Sequence, residues 1–248
     1  MEKPKPIRKY TKKRILEKGK QKPEDKVFAL FKKKEKKQAA PATASTPVVA
    51  LDCEMVGSFN ADLLARVSIC DGDGQKLLDE IVRPPGRVTD YREHITGLTP
   101  QVIFERGITF AAARALVRTI IQDKILIGHA VHNDLQVLAL RHPLHLIRDT
   151  STYKRLRPPN YHGTPSLRHL VRHWFGETIQ TGVHDSLEDC RAALRMYHLF
   201  KDEWEHQFSA VRNNGPLKVQ DTLQAVEEDL GSPAAAAATA AMYLQTLY

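Results

Sequence analysis

Val48-Val49-Ala50-Leu51-Asp52-Cys53-Glu54 is the stretch on which the reading of the whole chain turns. Four apolar residues suited to a strand run into two acids spaced one residue apart. Alternation along a strand sends positions 52 and 54 to the same face, so two carboxylates converge at the carboxyl end of an otherwise buried element. Like charges that close raise one another's pKa and call for a cation, and an oxygen-rich pair suits Mg²⁺ or Mn²⁺. A surface pair of acids would read the same way, so its meaning depends on the acids further along the chain.

Residues 64–70 and 77–82 read as the next two strands, with Gly72-Asp73-Gly74 as the hairpin turn between them. The start is antiparallel. The period then changes: Phe110, Ala113, Leu116, Val117, Ile120 and Ile121 recur at helical spacing over residues 109–121. Ile125-Leu126-Ile127 is a short apolar run entering Gly128-His129, and residues 133–140 read as the start of a helix, which makes a βα unit. Residues 144–147 form a weaker strand and 166–175 a helix. A longer helix spans 186–204, with Leu187, Cys190, Leu194, Tyr197 and Leu199 inward. A meander followed by alternating elements predicts an α/β fold: a mixed β-sheet, antiparallel then parallel, flanked by helices in one catalytic domain.

The chain has 248 residues and a formal net charge of +8. Residues 1–40 hold 16 Lys+Arg against 5 Asp+Glu, a balance of +11, which leaves residues 41–248 at −3. Such an arm attracts polyanions without locating any chemistry, and its lysine clusters and scarce aromatics predict disorder. Residues 41–47 read as a linker, 48–207 as the folded domain, and 208–248 as an extension, helical or disordered, with an alanine tract at 233–241. Cys53, Cys70 and Cys190 are an odd number without C-x-x-C spacing, which encodes neither a disulfide framework nor a zinc site. The N-terminus lacks a signal-peptide apolar region and no run approaches the roughly 18 apolar residues of a membrane span. The expectation is a soluble, unsecreted protein with no membrane partner. G-x-x-x-x-G-K phosphate loops and internal repeats are absent from the sequence.

Two further elements bear on the acids. Asp134 also follows a short apolar strand, in Gly128-His129-Ala130-Val131-His132-Asn133-Asp134. Ligands collect at strand carboxyl ends in open α/β sheets, although the helix dipole also favours an acid in a first turn. The second is His184-Asp185-Ser186-Leu187-Glu188-Asp189. Five helical residues turn through about 500°, which would leave His184 and Asp189 about 140° apart. Asp185 or Ser186 makes an N-cap, and Asp185 with Glu188 resembles a capping box, which leaves Glu188 only a capping role. His184 therefore belongs to the preceding loop, from which it can reach the site that Asp189 faces.

These motifs, in this order, resemble the DEDDh exonucleases of the ribonuclease H-like superfamily, matching Asp52 and Glu54, then Asp134, then His184 and Asp189, over roughly residues 48–206. Leu51-Asp52-Cys53-Glu54-Met55-Val56-Gly57 and Asp90-Tyr91-Arg92 resemble the eukaryotic RNA exonucleases, the RNA exonuclease 4 family in particular. Leu64-Ala65-Arg66-Val67-Ser68, Asp149-Thr150 and Pro165-Ser166-Leu167 share that likeness. Asp185 and Cys190 stand where the family pattern has Ser and Ala, and Glu93-His94 where it has a more basic pair; none is a catalytic position.

The resemblance implies a metal-dependent 3′→5′ exoribonuclease that releases nucleoside 5′-monophosphates. Asp52, Glu54, Asp134 and Asp189 would bind two Mg²⁺ (or Mn²⁺), one acidifying the attacking water and the other steadying the departing 3′ oxygen. His184 would take the water's proton as a general base. Family likeness puts Met55 and Arg92 near the terminal ribose, where RNA selectivity needs contacts to the 2′-OH. Val56 would line the same pocket through backbone and side chain, whereas Met55 also fits ordinary core filling. The implied partner is RNA, at single-stranded 3′ ends and in pre-ribosomal RNA, and the implied location is the nucleus, specifically the nucleolus. A DNA exonuclease shares every catalytic group and differs in tolerance of the 2′-OH. A non-catalytic RNA-binding assembly factor would use the basic arm alone, and the presence of all five expected groups argues against it.

Overall fold

The structure, a computed structural model, describes residues 46–213, with side chains to residue 208. The expectations for the basic arm, for most of the linker and for the alanine-rich extension lie outside the described residues. Six strands, β1 (Val48–Gly57), β2 (Asp62–Asp71), β3 (Lys76–Arg83), β4 (Ile108–Thr109), β5 (Ile125–Gly128) and β6 (Ile147–Asp149), form one sheet in the order β4-β3-β2-β1-β5-β6. The pairs β1–β2 and β2–β3 are antiparallel, and β1–β5, β5–β6 and β3–β4 are parallel. Helices α1 (Glu93–Thr96), α2 (Pro100–Arg106), α3 (Phe110–Ile121), α4 (Val131–Val137), α5 (Leu167–Phe175) and α6 (Ser186–Asn213) connect and cover it. This is the mixed α/β architecture expected from the sequence.

β1 is central because Val49, Ala50 and Leu51 are apolar in succession and all buried, as a strand covered on both faces requires. One side of the sheet carries the main core, in which Ala50, Cys70, Ile125 and Ile127 pack with Leu187, Cys190, Leu194, Tyr197 and Trp204 of α6. Each such aliphatic side chain stabilises the fold by about 1.5–3 kcal/mol when fully buried. Tyr153 stacks on Trp204 with ring centroids 3.8 Å apart and so fixes the far end of α6. A second cluster joins Val56 and Ala65 to Leu98 and Ile103.

Beyond β4, α1 and α2, which the sequence did not lead one to expect, four details differ from the sequence expectation. β1 runs on to Gly57 instead of ending at Asp52, because its ladder with β2 continues past a bulge between Glu54 and Met55. Its parallel ladder with β5 stops at Ala50, so the acids still lie beyond the carboxyl end of the parallel half. Residues 144–146 form a 3₁₀ turn closed by the Leu146 N–H on the Pro143 carbonyl, and strand β6 begins only at Ile147. Its middle residue is the fully buried Arg148, whose guanidinium bonds both Glu205 oxygens, so the strand lacks an apolar signature. α4 begins at Val131, two residues earlier than expected, from Ala130 in the left-handed region. α6 leaves helical geometry at Phe200 and continues to Asn213, and Leu199 is 45% exposed. Nine residues beyond Cys190, Leu199 is about 180° round the helix and faces away from the core.

Candidate active site

Asp52 and Glu54 share one face of β1, and the antiparallel register with β2 sets Ser68 opposite Asp52 and Arg66 opposite Glu54. Both β2 residues reach the beginning of α6. Arg66 holds Asp79 through Nε at 2.8 Å and Asp185 through Nη2 at 2.9 Å. The Ser68 and Ser186 hydroxyls lie 2.7 Å apart, and the Cys190 thiol donates to the Ser68 carbonyl at 3.1 Å. Asp185 accepts the Leu187 N–H at 3.1 Å, which makes it the side-chain cap, while Glu188 is exposed. These bonds fix the first turn of α6 on the sheet and deliver Asp189, 3% exposed, to the acids of β1.

His184 lies in the loop before α6, as the spacing predicts, and its N–H donates to the Ile95 carbonyl of α1 at 2.7 Å. That approach requires Gly97, whose φ is 66° and where a Cβ would come within 2.6 Å of Val183. Glu54, His184 and Asp189 each offer a ligand atom within 4.8 Å of the others. Asp134 arrives from the other side on α4. The Asp149 carboxylate takes the N–H groups of Ala130 and Val131 at 2.8 and 3.0 Å and so anchors the helix start. Asp134 is 3% exposed, not a solvated first-turn acid, and its carboxyl accepts from the Cys53 thiol and N–H.

Burial raises the pKa of every acid in this group, and the charges of the other acids add to it at Asp52 and Glu54. Asp52 is pushed well above the usual carboxylate range, first by burial and then by the charges of Asp134, Asp189 and Glu54, with Arg66 opposing. Burial and the Asp189 charge push Glu54 up to about 7, again against Arg66. Burial raises Asp134 against the Cys53 hydrogen bonds, and it raises Asp189 against the Gln180 hydrogen bond and the neighbouring His184. Asp189 Oδ2 accepts from Gln180 Nε2 at 2.8 Å, whereas its buried Oδ1 has no hydrogen-bond partner. Repelling carboxylates, one orphaned oxygen and an imidazole together fit a divalent cation that prefers oxygen ligands.

The substrate residues expected from family likeness are less uniformly placed. Met55 is half-buried. The Val56 side chain is 0% exposed and packs with Ala65, Leu98 and Ile103, which corrects the side-chain half of its expected role and leaves the backbone half. Arg92, at φ 49°, binds Asp62 at 2.6 Å with Asp90 at 3.9 Å, beyond the end of β1. Motif spacing assigns no role to Arg66, Cys53, Asp149 or Gln180. Arg66 could be found by pairing the two strands in register, whereas Gln180 is one polar residue in a loop and has no local signal.

A family model described as an exonuclease, RNase_T, matches residues 49–197. RNA exonuclease 4 of Xenopus laevis is 38% identical over 191 residues, which is 76% of this chain and 45% of the relative. RNA exonuclease 4 of Homo sapiens is 40% identical over 175 residues, 69% of this chain and 40% of the relative. The chain thus spans less than half the length of these two relatives. Among solved structures, the Saccharomyces cerevisiae Pan2 pseudoubiquitin hydrolase-RNA exonuclease module in complex with AAGGAA RNA has a TM-score of 0.57 at 26% identity, over 72% of this chain and 33% of that one. The family match takes in β1 with Asp52 and Glu54, α4 with Asp134, and the start of α6 with His184 and Asp189; the chain belongs to the RNase_T exonuclease family.

Proposed function

We propose that this chain is a metal-dependent 3′→5′ exoribonuclease that hydrolyses the terminal phosphodiester of single-stranded RNA and releases nucleoside 5′-monophosphates. The observation that carries the reading is the meeting of Glu54, His184 and Asp189 within 4.8 Å, with Asp189 Oδ1 unpartnered. Asp52 interacts electrostatically with Asp134 and with Glu54 and Asp189 of that group. Two Mg²⁺ or Mn²⁺ ions held by the four carboxylates would supply an acidified water and neutralise the leaving oxygen. Burial and the Asp189 charge push the Glu54 pKa up to about 7, and a bound cation would favour its charged form. His184 takes the proton from the attacking water, and its backbone bond to Ile95 fixes the loop that presents the imidazole. The water oxygen forms the new bond to phosphorus, the bond to the 3′ oxygen breaks, and the 5′ phosphate leaves with the terminal nucleoside. Met55 and Arg92 contact its ribose in this reading.

RNA is favoured over DNA by the naming of the relatives as RNA exonuclease 4 and by the RNA bound to the Pan2 module. Pre-ribosomal RNA as a substrate, which the family resemblance implies, and nucleolar residence, which the lysine clusters of the first 40 residues support, complete the proposal. Product analysis on matched 3′-labelled and 5′-labelled RNA and DNA strands tests it. Mononucleotides released first from the 3′ label, from RNA in preference to DNA and only with divalent metal, are expected. Release from the 5′ label, or equal rates on both sugars, would overturn polarity or substrate respectively.

A further inference from the structure

Residues 150–176 carry Lys154, Arg155, Arg157, Arg168 and Arg172, three histidines, and no aspartate or glutamate. The remainder of residues 41–248 holds 16 Lys+Arg against 24 Asp+Glu, so this segment runs against the charge of the part of the chain it belongs to. All five cations and all three histidines are exposed. Arg155 pairs with Glu203 at 3.0 Å, whereas Lys154, Arg157, Arg168 and Arg172 face no carboxylate within salt-bridge distance among the described residues. Arg172 sits in the last turn of α5, where the helix dipole favours a cation, and the other three have no such role in the fold's helices of eight or more residues. Interspersed with them is Tyr161, its ring 4.5 Å from that of His169.

Both ends of the segment adjoin elements that carry residues of the candidate active site. It begins where β6 ends: the Thr150 N–H and hydroxyl each donate to the Gly128 carbonyl at 2.9 Å, and Thr150 Oγ1 lies 3.0 Å from His129 Nδ1. His129 also bonds the Pro165 backbone and opens the turn into α4, which bears Asp134. The segment ends through α5 in the loop where Gln180 holds Asp189 and His184 is tied to Ile95. Arg168 and Arg172, four residues apart on α5, lie on one face about 6 Å apart along the axis.

We infer that residues 154–172 form a cationic track for the phosphates of RNA nucleotides on the 5′ side of the scissile bond. The inference rests on the exoribonuclease reading. A strand whose 3′ end enters the acidic site must leave it across a neighbouring surface, and its phosphates seek exposed, unpaired Lys and Arg. Single-strand sites that ignore sequence combine such cations with aromatic faces, as Tyr161 provides here.

The test uses the full chain with Lys154, Arg157, Arg168 and Arg172 all changed to Ala, and a control with Arg106→Ala and Arg118→Ala on α2 and α3. Binding of a fluorescent ten-nucleotide RNA is followed by anisotropy in EDTA across a salt series, and turnover is measured separately on a dinucleotide with Mg²⁺. The fourfold variant is expected to bind the decamer at least tenfold more weakly than wild type. Its salt slope should be flatter by about 0.7 for each phosphate no longer neutralised, while dinucleotide turnover and the control variant match wild type. A decamer affinity and slope equal to wild type would make the cations a solvated face and overturn the track. A fall in dinucleotide turnover as large as that for longer RNA would overturn it too, by assigning these residues to the site itself. If wild type hydrolyses nothing while the fourfold variant still loses affinity and slope against it, the exonuclease reading fails and residues 154–172 remain an RNA-binding surface without a scissile bond.

Discussion

Gln180 Nε2 donates to Asp189 Oδ2 over 2.8 Å and leaves Asp189 Oδ1 buried with no partner. One oxygen of the carboxylate is thus oriented by the protein and the other is free for a cation. Gln180 reaches it from a left-handed backbone, φ 56°, a conformation that costs a non-glycine residue on the order of 1 kcal/mol or more. Strain at a residue that orients a candidate metal ligand is where a fold tolerates it.

Gln180→Ala is therefore expected to raise the Mg²⁺ concentration for half-maximal activity by on the order of 10-fold or more, with turnover at saturating metal largely kept. A metal titration of both proteins checks this. An unchanged midpoint would reduce Gln180 to a loop residue.

EDTA should abolish activity and Mg²⁺ or Mn²⁺ restore it, with Ca²⁺ a poor substitute because its longer bonds loosen the geometry. Asp52→Asn, Asp134→Asn and Asp189→Asn should each lose activity while remaining folded, since shape is kept and charge removed. Near-native turnover in any one of them would exclude that residue as a ligand.

Glu54 gives a pH dependence of stability. Its folded-state pKa of about 7 lies above its ordinary value of 4.5, so the folded protein holds this proton more tightly than the unfolded chain. Stability from this group is full below about 4.5 and falls as pH rises to about 7, by up to about 3 kcal/mol. In EDTA, the melting temperature of wild type should drop more between pH 5 and 7 than that of Glu54→Gln. Parallel curves would show that Glu54 keeps an ordinary pKa.

How much of this was legible in the sequence depended on whether a group is set by local period or by tertiary contact. Asp52 and Glu54 follow from strand alternation, and His184 and Asp189 from the cap that separates loop from helix, so these needed nothing beyond the chain order. The βα unit carrying Asp134 was equally visible. β6 was blurred because a buried Arg148, compensated by Glu205 from 57 residues on, erases the apolar pattern. Arg66 and Gln180 carry no local signal because their partners are fixed by sheet register and by a strained loop. The buried side chain of Val56 was not legible because family likeness says nothing of which face a bulge leaves inside.

His184→Ala should lower turnover by on the order of 10²-fold or more, as loss of a general base does. The acidic limb of the pH profile should change while the metal midpoint stays. Because His184 also lies within 4.8 Å of Glu54 and Asp189, a shifted metal midpoint would instead make it a ligand. An unchanged rate and profile would leave it a structural role.

Deleting residues 1–40 removes 16 of the 37 Lys+Arg but none of the residues of the candidate site. The truncated protein is expected to hydrolyse short oligonucleotides at saturating RNA as fast as the full chain. Longer RNA should bind more weakly, with a salt dependence flatter by about 0.7 for each single-strand phosphate that the arm had neutralised. The cations of residues 154–172 remain, so binding should be weakened and not abolished. Nuclear accumulation should fall as well, because the lysine clusters go with the arm. Affinity measured at several salt concentrations separates the roles: if the arm serves only as an address, localisation changes while affinity and slope match the full chain. If truncation stops hydrolysis of short oligonucleotides at saturating RNA, the arm supplies part of the active site and the domain cannot begin at residue 48.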